Sequence, residues 1–182
     1  MTQSAAATVA VFGASGSRPG DGWYEDGVLC GRLLADAGFG VITGGYGGTM
    51  EAVSLGAAQS DGRVVGVTAP AVFPHRPGGN RHLTEEIAAP TLVDRIGTLL
   101  EHSDASIALW GSLGTATELL TAWNLAYVAP LSNQTAKPIA AVGEPWTVLV
   151  PELAEALDTD PAPVEVFADV ESAVGWLIDR LG

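Results

Sequence analysis

The sequence predicts a doubly wound α/β fold, in which helices cover both faces of a parallel, Rossmann-like sheet. Short apolar segments alternate with helical segments along the 182-residue chain, a pattern that is typical of parallel β-α units. The strand segments are apolar throughout, as expected for strands that are covered on both faces. Glycine-rich turns follow three of these strands, and no linker-like segment divides the chain. We therefore expect one domain.

Each predicted element follows from a local signal. Strands are predicted at short apolar runs, namely 8–13, 40–43, 63–68, 105–109, 138–142 and 164–167. Helices are predicted where apolar residues recur at helical spacing, namely 24–37, 49–60, 91–102, 115–128, 146–157 and 169–181. The first helix ends before Gly38, because glycine is favoured just after a helix. Residues 1–7 are expected to form a flexible N-terminus, and 8–182 the folded domain.

Two features mark the middle of the chain. Thr91-Leu-Val-Asp94 begins the helix at 91–102 with a capping-box pattern. Before it, prolines and glycines predict a loop over 69–82: Pro70, Pro74, Pro77, Gly78 and Gly79. Long loops in compact α/β domains often close over a ligand, so this loop is a candidate lid.

The composition restricts the partners of the protein. The chain carries 8 basic and 21 acidic residues, a net charge of −13, which opposes binding to nucleic acid or to an anionic membrane surface. Its single cysteine, Cys30, excludes an intrachain disulfide and a CxxC metal site, and we expect it to be buried. No cluster of histidine, cysteine and aspartate has ligand spacing, so neither a metal nor a cofactor is predicted. Because no basic leader or long apolar run is present, we expect a cytoplasmic protein.

Three glycine-containing turns are predicted at one edge of the sheet, because the carboxyl ends of parallel strands lie together. Uncovered N–H groups at such turns, next to the positive ends of helices, bind anions such as phosphate. The candidate phosphate-binding residues are Gly13, Ser15, Gly44, Gly45, Gly47, Gly48, Gly111, Ser112, Gly114 and Thr115. The second and third turns match neither a dinucleotide fingerprint nor a Walker A loop. The alternative is that these glycines only permit tight turns.

Two charged residues stand near these turns. Glu118 falls one turn into the helix at 115–128, where it also completes the capping-box pattern Thr115-Ala-Thr-Glu118. Arg95 stands out because the chain has few cations and its neighbours are apolar; a surface ion pair with Asp94 or Glu101 is the alternative. If neither alternative holds, the pattern indicates an anion site with a carboxylate close to the ligand.

One stretch of the chain matches a known motif. Its matching residues are Asp94, Arg95, His102, Ser103, Asp104, Ala105, Ile107, Ala108, Leu109, Gly111, Gly114, Thr115 and Glu118. This stretch resembles the LOG ("lonely guy") family of nucleoside 5′-monophosphate phosphoribohydrolases, once described as lysine decarboxylases. That family carries an arginine-lysine pair on a helix, then a strand, then Pro-Gly-Gly-x-Gly-Thr-x-x-Glu. Its arginine and final glutamate are 23 residues apart, as are Arg95 and Glu118, and the resemblance spans 8–150.

The resemblance implies an activity and roles for three residues. The activity is hydrolysis of the N-glycosidic bond of a purine nucleoside 5′-monophosphate, such as AMP or a cytokinin riboside monophosphate, and not decarboxylation of lysine. The products are the free base and ribose 5-phosphate. By the resemblance, Glu118 is catalytic, and Arg95 is the second catalytic residue, either holding the phosphate or orienting Glu118. Asn124 falls where the family has another ligand contact.

The chain departs from the family motif at several positions. Ile96 stands where the family has lysine, and Trp110 and Ser112 replace the proline and the second glycine. The loss of a cation leaves a second hypothesis open, a LOG-like (SLOG) protein without catalysis that binds or carries a nucleotide or the molybdenum cofactor.

The helices at 92–102 and 115–128 carry more apolar surface than one face of a sheet covers, including Trp123 and Tyr127. We therefore expect these helices to form a two-fold interface, as in the resembling family. The expected partners are a small nucleotide and a second copy of the chain, in a dimer or a larger homo-oligomer.

Overall fold

Seven strands and six α-helices alternate in the computed structural model, which describes residues 6–76 and 78–182. The strands are β1 (Thr8–Phe12), β2 (Gly40–Thr43), β3 (Val64–Thr68), β4 (Glu85–Ala88), β5 (Ala105–Ala108), β6 (Ile139–Val142) and β7 (Val164–Phe167). The helices are α1 (Gly22–Asp36), α2 (Thr49–Gln59), α3 (Leu92–Glu101), α4 (Leu113–Val128), α5 (Glu144–Ala156) and α6 (Val170–Leu181). Residues 1–5 of the expected N-terminal segment and Pro77 of the predicted loop lie outside the described residues.

All seven strands are parallel and lie in the order β4-β3-β2-β1-β5-β6-β7. The winding direction therefore reverses between β1 and β5, and ligands of such sheets bind at this reversal point, beyond the carboxyl ends of the strands. Phe12 pairs with Ala108 in the register of these two strands. The turns that follow them are held together because the Ala14 N–H donates to the carbonyl oxygen of Trp110 (3.2 Å).

Helices cover both faces of the sheet, as predicted. On one face, side chains of α3, α4 and α5 such as Leu99, Leu119 and Trp146 pack on the inward side chains of β1 and β2. On the other, α1, α2 and α6 pack through a second apolar cluster that includes the fully buried Cys30. This confirms the Rossmann-like fold. None of the helices within the described ranges is long and apolar enough to cross a membrane.

The sequence did not predict β4. This strand reads Glu85-Glu86-Ile87-Ala88, lies at the edge of the sheet and is largely exposed. A charged, exposed edge strand lacks the apolar run that marks the buried strands, and charged residues there oppose pairing with another chain.

The start of α4 also differs from the prediction. The helix begins at Leu113 and its N-cap is Ser112, so Thr115 is the third helical residue and Glu118 the sixth. The capping-box interpretation of Thr115 and Glu118 is therefore wrong. By contrast, Thr91 does cap α3, because its hydroxyl accepts a hydrogen bond from the Asp94 N–H (3.1 Å).

Candidate functional site

A cavity of about 180 Å³ lies at the carboxyl edge of the sheet, beside the reversal point. Its wall brings together residues from the turns after β1, β2 and β5 and from helices α3 and α4. Of the residues expected at the site, the cavity is lined by Gly13, Ser15, Gly44, Arg95, Ser112, Gly114, Thr115 and Glu118. Five others lie outside its wall: Gly45, Gly47, Gly48, Gly111 and Asn124.

Arg95 crosses from α3 to the ends of two strands. Its Nε donates a hydrogen bond to the carbonyl oxygen of Val67 (2.7 Å), and its Nη2 donates to the carbonyl oxygen of Gly44 (2.9 Å). The residue is only 6% exposed. Val67 is the penultimate residue of β3 and Gly44 follows the last residue of β2, so the guanidinium supplies hydrogen-bond donors where these strands end.

The ion-pair partner of Arg95 is Glu118. Nη1 of Arg95 lies 3.5 Å from Oε1 of Glu118, and both side chains are almost completely buried. Asp94 instead accepts a hydrogen bond from the Thr91 hydroxyl at the surface (2.6 Å). The alternative of a surface ion pair for Arg95 is therefore wrong.

Burial changes the protonation of this pair. Desolvation raises the pKa of Glu118 from 4.5 to about 7, and the positive charge of Arg95 opposes this rise. Desolvation also lowers the pKa of Arg95, although the charge of Glu118 acts in the other direction. A carboxyl group that titrates near neutral pH is suited to general acid-base chemistry.

The N-terminus of α4 forms one side of the cavity. The side chain of its N-cap, Ser112, does not cap the helix, so the first N–H groups are not satisfied by it. A Cβ atom at Gly114 would meet no atom of residues 6–76 and 78–182 within 4 Å, so the backbone here is open to approach. Together with the helix dipole, these features favour an anionic group.

The earlier glycine turn has a different role at each position. A Cβ atom at Gly44 would overlap the Arg95 guanidinium, and one at Gly48 would overlap backbone atoms of Ala14 and Ser15. Gly48 also has a φ of +75°, which L-residues rarely adopt. These two glycines thus permit close packing, whereas Gly47 faces open space.

The lining residues that sequence reasoning missed include Phe73 and Arg76. Both belong to the loop between β3 and β4, and the guanidinium carbon of Arg76 lies 4.6 Å from the ring centroid of Tyr46 and 4.3 Å from that of Phe73. The predicted candidate lid at 69–82 was the available signal, but it did not identify which side chains of the loop turn inward.

Fold and site together define a Rossmann-like α/β protein. Its cavity holds a buried carboxyl group with a pKa near 7, close to the N-terminus of α4, which has no side-chain cap. The chain belongs to the SLOG cluster4 family, whose model matches residues 6–150. This agrees with the LOG-like resemblance of the sequence.

The chain is similar to one protein of known activity and to solved structures. It is 32% identical over 117 residues to a cytokinin riboside 5′-monophosphate phosphoribohydrolase of Mycobacterium tuberculosis, a match that covers 64% of this chain and 59% of that protein. The molybdenum cofactor binding protein of Rippkaea orientalis has a TM-score of 0.74 at 20% identity, covering 97% of this chain and 98% of the other. The molybdenum cofactor carrier protein of Chlamydomonas reinhardtii has a TM-score of 0.72 at 19% identity, with the same coverage. At these identities, the two structures support the fold alone.

Arg95→Ala should strongly destabilise the protein. The substitution leaves Glu118 buried without a counter-charge and removes the donors to Val67 and Gly44, a loss of about 3–5 kcal/mol in the free energy of unfolding at pH 8. Arg63→Ala is the matched control, because Arg63 forms an exposed pair with Glu85 (2.7 Å) whose loss costs at most about 1 kcal/mol. Urea unfolding measures both; similar losses for the two variants would contradict the structural role of Arg95.

Proposed function

We propose that the protein hydrolyses the N-glycosidic bond of a purine nucleoside 5′-monophosphate, releasing the base and ribose 5-phosphate. The observation that carries the proposal is Glu118, a buried carboxyl group with a pKa near 7 in the wall of the cavity. The 32% identity to a phosphoribohydrolase supports it. The matched segment spans 59% of the relative's length.

In the proposed reaction, water attacks C1′ of the ribose as the bond from C1′ to the base breaks. The transition state has oxocarbenium character, so a nearby carboxylate stabilises its positive charge. Glu118 in its ionised form also accepts a proton from the attacking water. The departing base carries the bonding electron pair and takes a proton from solvent, and Glu118 returns the proton that it accepted from water to solvent, so the reaction consumes one water molecule.

Other residues of the site have supporting roles in this proposal. Arg95 positions Glu118 and keeps a fraction of it ionised at neutral pH, since its charge opposes the effect of burial. The phosphate would lie at the N-terminus of α4, near the N–H groups of Gly114 and Thr115, with the turn that contains Gly44 close by. Asn124 is exposed on α4 outside the cavity wall, so a contact from it would need a ligand that extends beyond the cavity.

The second candidate function is that of a nucleotide- or molybdenum-cofactor-binding carrier without hydrolysis. Ile96 lines the cavity where the LOG family motif has lysine, which removes one cation from the site. The carrier and binding proteins with the same fold are consistent with this candidate. Either function takes a small phosphorylated ligand.

A nucleic acid partner is not part of the proposal, because the net charge of −13 repels polyanions. A small nucleotide can still bind despite this net charge, because a few hydrogen-bond donors inside one cavity suffice to hold its single phosphate. A cytoplasmic location stays a prediction of the sequence.

Glu118→Gln should abolish hydrolysis but preserve ligand binding, because it removes the charge and nearly keeps the shape. The expected loss in adenine release from AMP is at least about 100-fold, within the range for a positioned acid or base. Glu155→Gln is the control: Glu155 is an exposed glutamate near the end of α5 and does not line the cavity.

Adenine release is followed by chromatography and AMP binding by calorimetry. Wild-type activity in Glu118→Gln would overturn the role of Glu118. Tight AMP binding by the wild-type protein without any adenine release would favour the carrier function instead.

We further propose that the protein is a homodimer through α3 and α4. A groove of about 600 Å³ runs between these helices and is lined mainly by apolar side chains such as Ile96, Leu100 and Leu125. Val93 is 79% exposed beside it. Tyr127 is half exposed, whereas Trp123 is buried and donates its Nε1–H to the carbonyl oxygen of Asp160 (3.0 Å), so it belongs to the core.

Sedimentation at micromolar concentration should give a dimer of about 37 kDa, twice the chain mass of 18.6 kDa. Val93→Asp should dissociate it, because a carboxylate would have to be buried at the interface. Leu157→Asp is the control, since Leu157 is 64% exposed at the end of α5, away from the groove. A wild-type monomer would contradict the proposal.

A further inference from the structure

The donors of Arg95 are already engaged. Two of its nitrogens donate to the carbonyl oxygens of Val67 and Gly44, and a third faces Glu118. A ligand phosphate that approached this guanidinium would also approach the Glu118 carboxyl group, 3.5 Å from Nη1. An anionic phosphate and the Glu118 carboxylate would repel each other there, so Arg95 is a poor binding group for the anionic part of a ligand.

Arg76 lines the same cavity and is held differently. Its guanidinium carbon lies 4.3 Å and 4.6 Å from the centroids of Phe73 and Tyr46, two rings that meet edge to face at 82°. Aromatic faces attract a guanidinium without occupying its N–H donors. Across residues 6–76 and 78–182, the Arg76 side chain makes neither a hydrogen bond nor an ion pair.

The support beneath Arg76 is tied to the backbone. The Tyr46 hydroxyl accepts a hydrogen bond from the Ala69 N–H (2.8 Å), which fixes the ring under the guanidinium. Farther along the loop, the Asn80 N–H donates to the carbonyl oxygen of Gly45 (2.7 Å), and its Nδ2 donates to that of Tyr46 (3.2 Å). Both ends of the segment that carries Arg76 are thereby attached to the turn after β2.

We propose that Arg76 binds the phosphomonoester of the ligand, while Arg95 positions Glu118 and stabilises its charged form. A phosphomonoester is the chemical class that fits, because its oxygens accept two parallel hydrogen bonds from the edge of a guanidinium. The cavity then has a cationic side at Arg76 and a titratable acid at Glu118. This inference rests on the proposed function only in taking a phosphorylated ribose as the ligand.

Ribose 5-phosphate and ribose test the inference, because neither contains an N-glycosidic bond to hydrolyse. Calorimetry should show that Arg76→Ala weakens binding of ribose 5-phosphate about 10- to 100-fold, the effect expected for lost hydrogen bonds between charged groups. Binding of ribose should not change. Arg76→Lys should recover only part of the affinity, since an ammonium group is a point charge without the planar fork.

Arg81→Ala is the matched control. Arg81 lies on the same loop, is exposed and does not line the cavity, so its removal changes the net charge equally but should change affinity less than twofold. Circular dichroism and thermal unfolding establish that each variant is folded.

Three outcomes would overturn the inference: wild-type affinity for ribose 5-phosphate in Arg76→Ala, an equal loss in Arg81→Ala, or no binding of ribose 5-phosphate by the wild-type protein. The same measurements distinguish a failure of this inference from a failure of the proposed hydrolysis. If binding depends on Arg76 but no adenine is released from AMP, hydrolysis is wrong and the assignment of Arg76 stands. If adenine is released and Arg76→Ala leaves the KM for AMP unchanged, hydrolysis stands and the assignment falls.

Discussion

The site depends on the buried guanidinium of Arg95, which joins two strand ends to a helix. It donates to the carbonyls of Gly44, just after β2, and of Val67, near the end of β3, and it pairs with a carboxyl group of α4. Gly44 has no side chain because the guanidinium occupies that space. Burial alone would keep the Glu118 carboxyl group neutral. The buried positive charge of Arg95 beside it favours the ionised carboxylate. The pKa of Glu118 near 7 is the balance of these two effects.

The chain is strongly acidic, so the proposed phosphate site has to be built from local groups. Long-range repulsion from a net charge of −13 opposes any phosphorylated ligand. In the proposed site, the N-terminus of α4 and the Arg76 guanidinium, which is supported by aromatic rings, offset this repulsion, while Arg95 pairs with Glu118. Such a division of labour between two arginines explains how Ile96 can replace the lysine of the LOG motif without leaving the cavity free of cations.

Local sequence patterns predicted most of the fold, because strands buried on both faces leave continuous apolar runs. The exposed edge strand β4 leaves no such run and was missed. The pairing of Arg95 with Glu118 was accessible only through a motif that spans 23 residues of chain. Residue pattern alone offered surface and capping roles for the two, because it cannot show that α3 and α4 turn these side chains toward each other.

Arg76 could not be assigned from sequence for a related reason. Its role depends on contact with Tyr46, 30 positions earlier in the chain, and on a loop whose path follows from hydrogen bonds of Asn80 to backbone carbonyls. For Arg76 the sequence predicted no role, whereas for the glycines it predicted phosphate binding at too many positions. Several that resemble a phosphate-binding turn are required for packing, as at Gly44 and Gly48, and only the structure separates these from open positions such as Gly114.

The most direct test of the account is the titration of the Glu118 carboxyl group itself. Carbon-13 NMR of protein labelled at the glutamate side chains resolves its carboxyl resonance, which is assigned by its absence from Glu118→Gln. Because burial disfavours the charged form more strongly than Arg95 favours it, the account predicts a midpoint near pH 7. A midpoint near the ordinary value of 4.5 would contradict the buried pair on which the site is built.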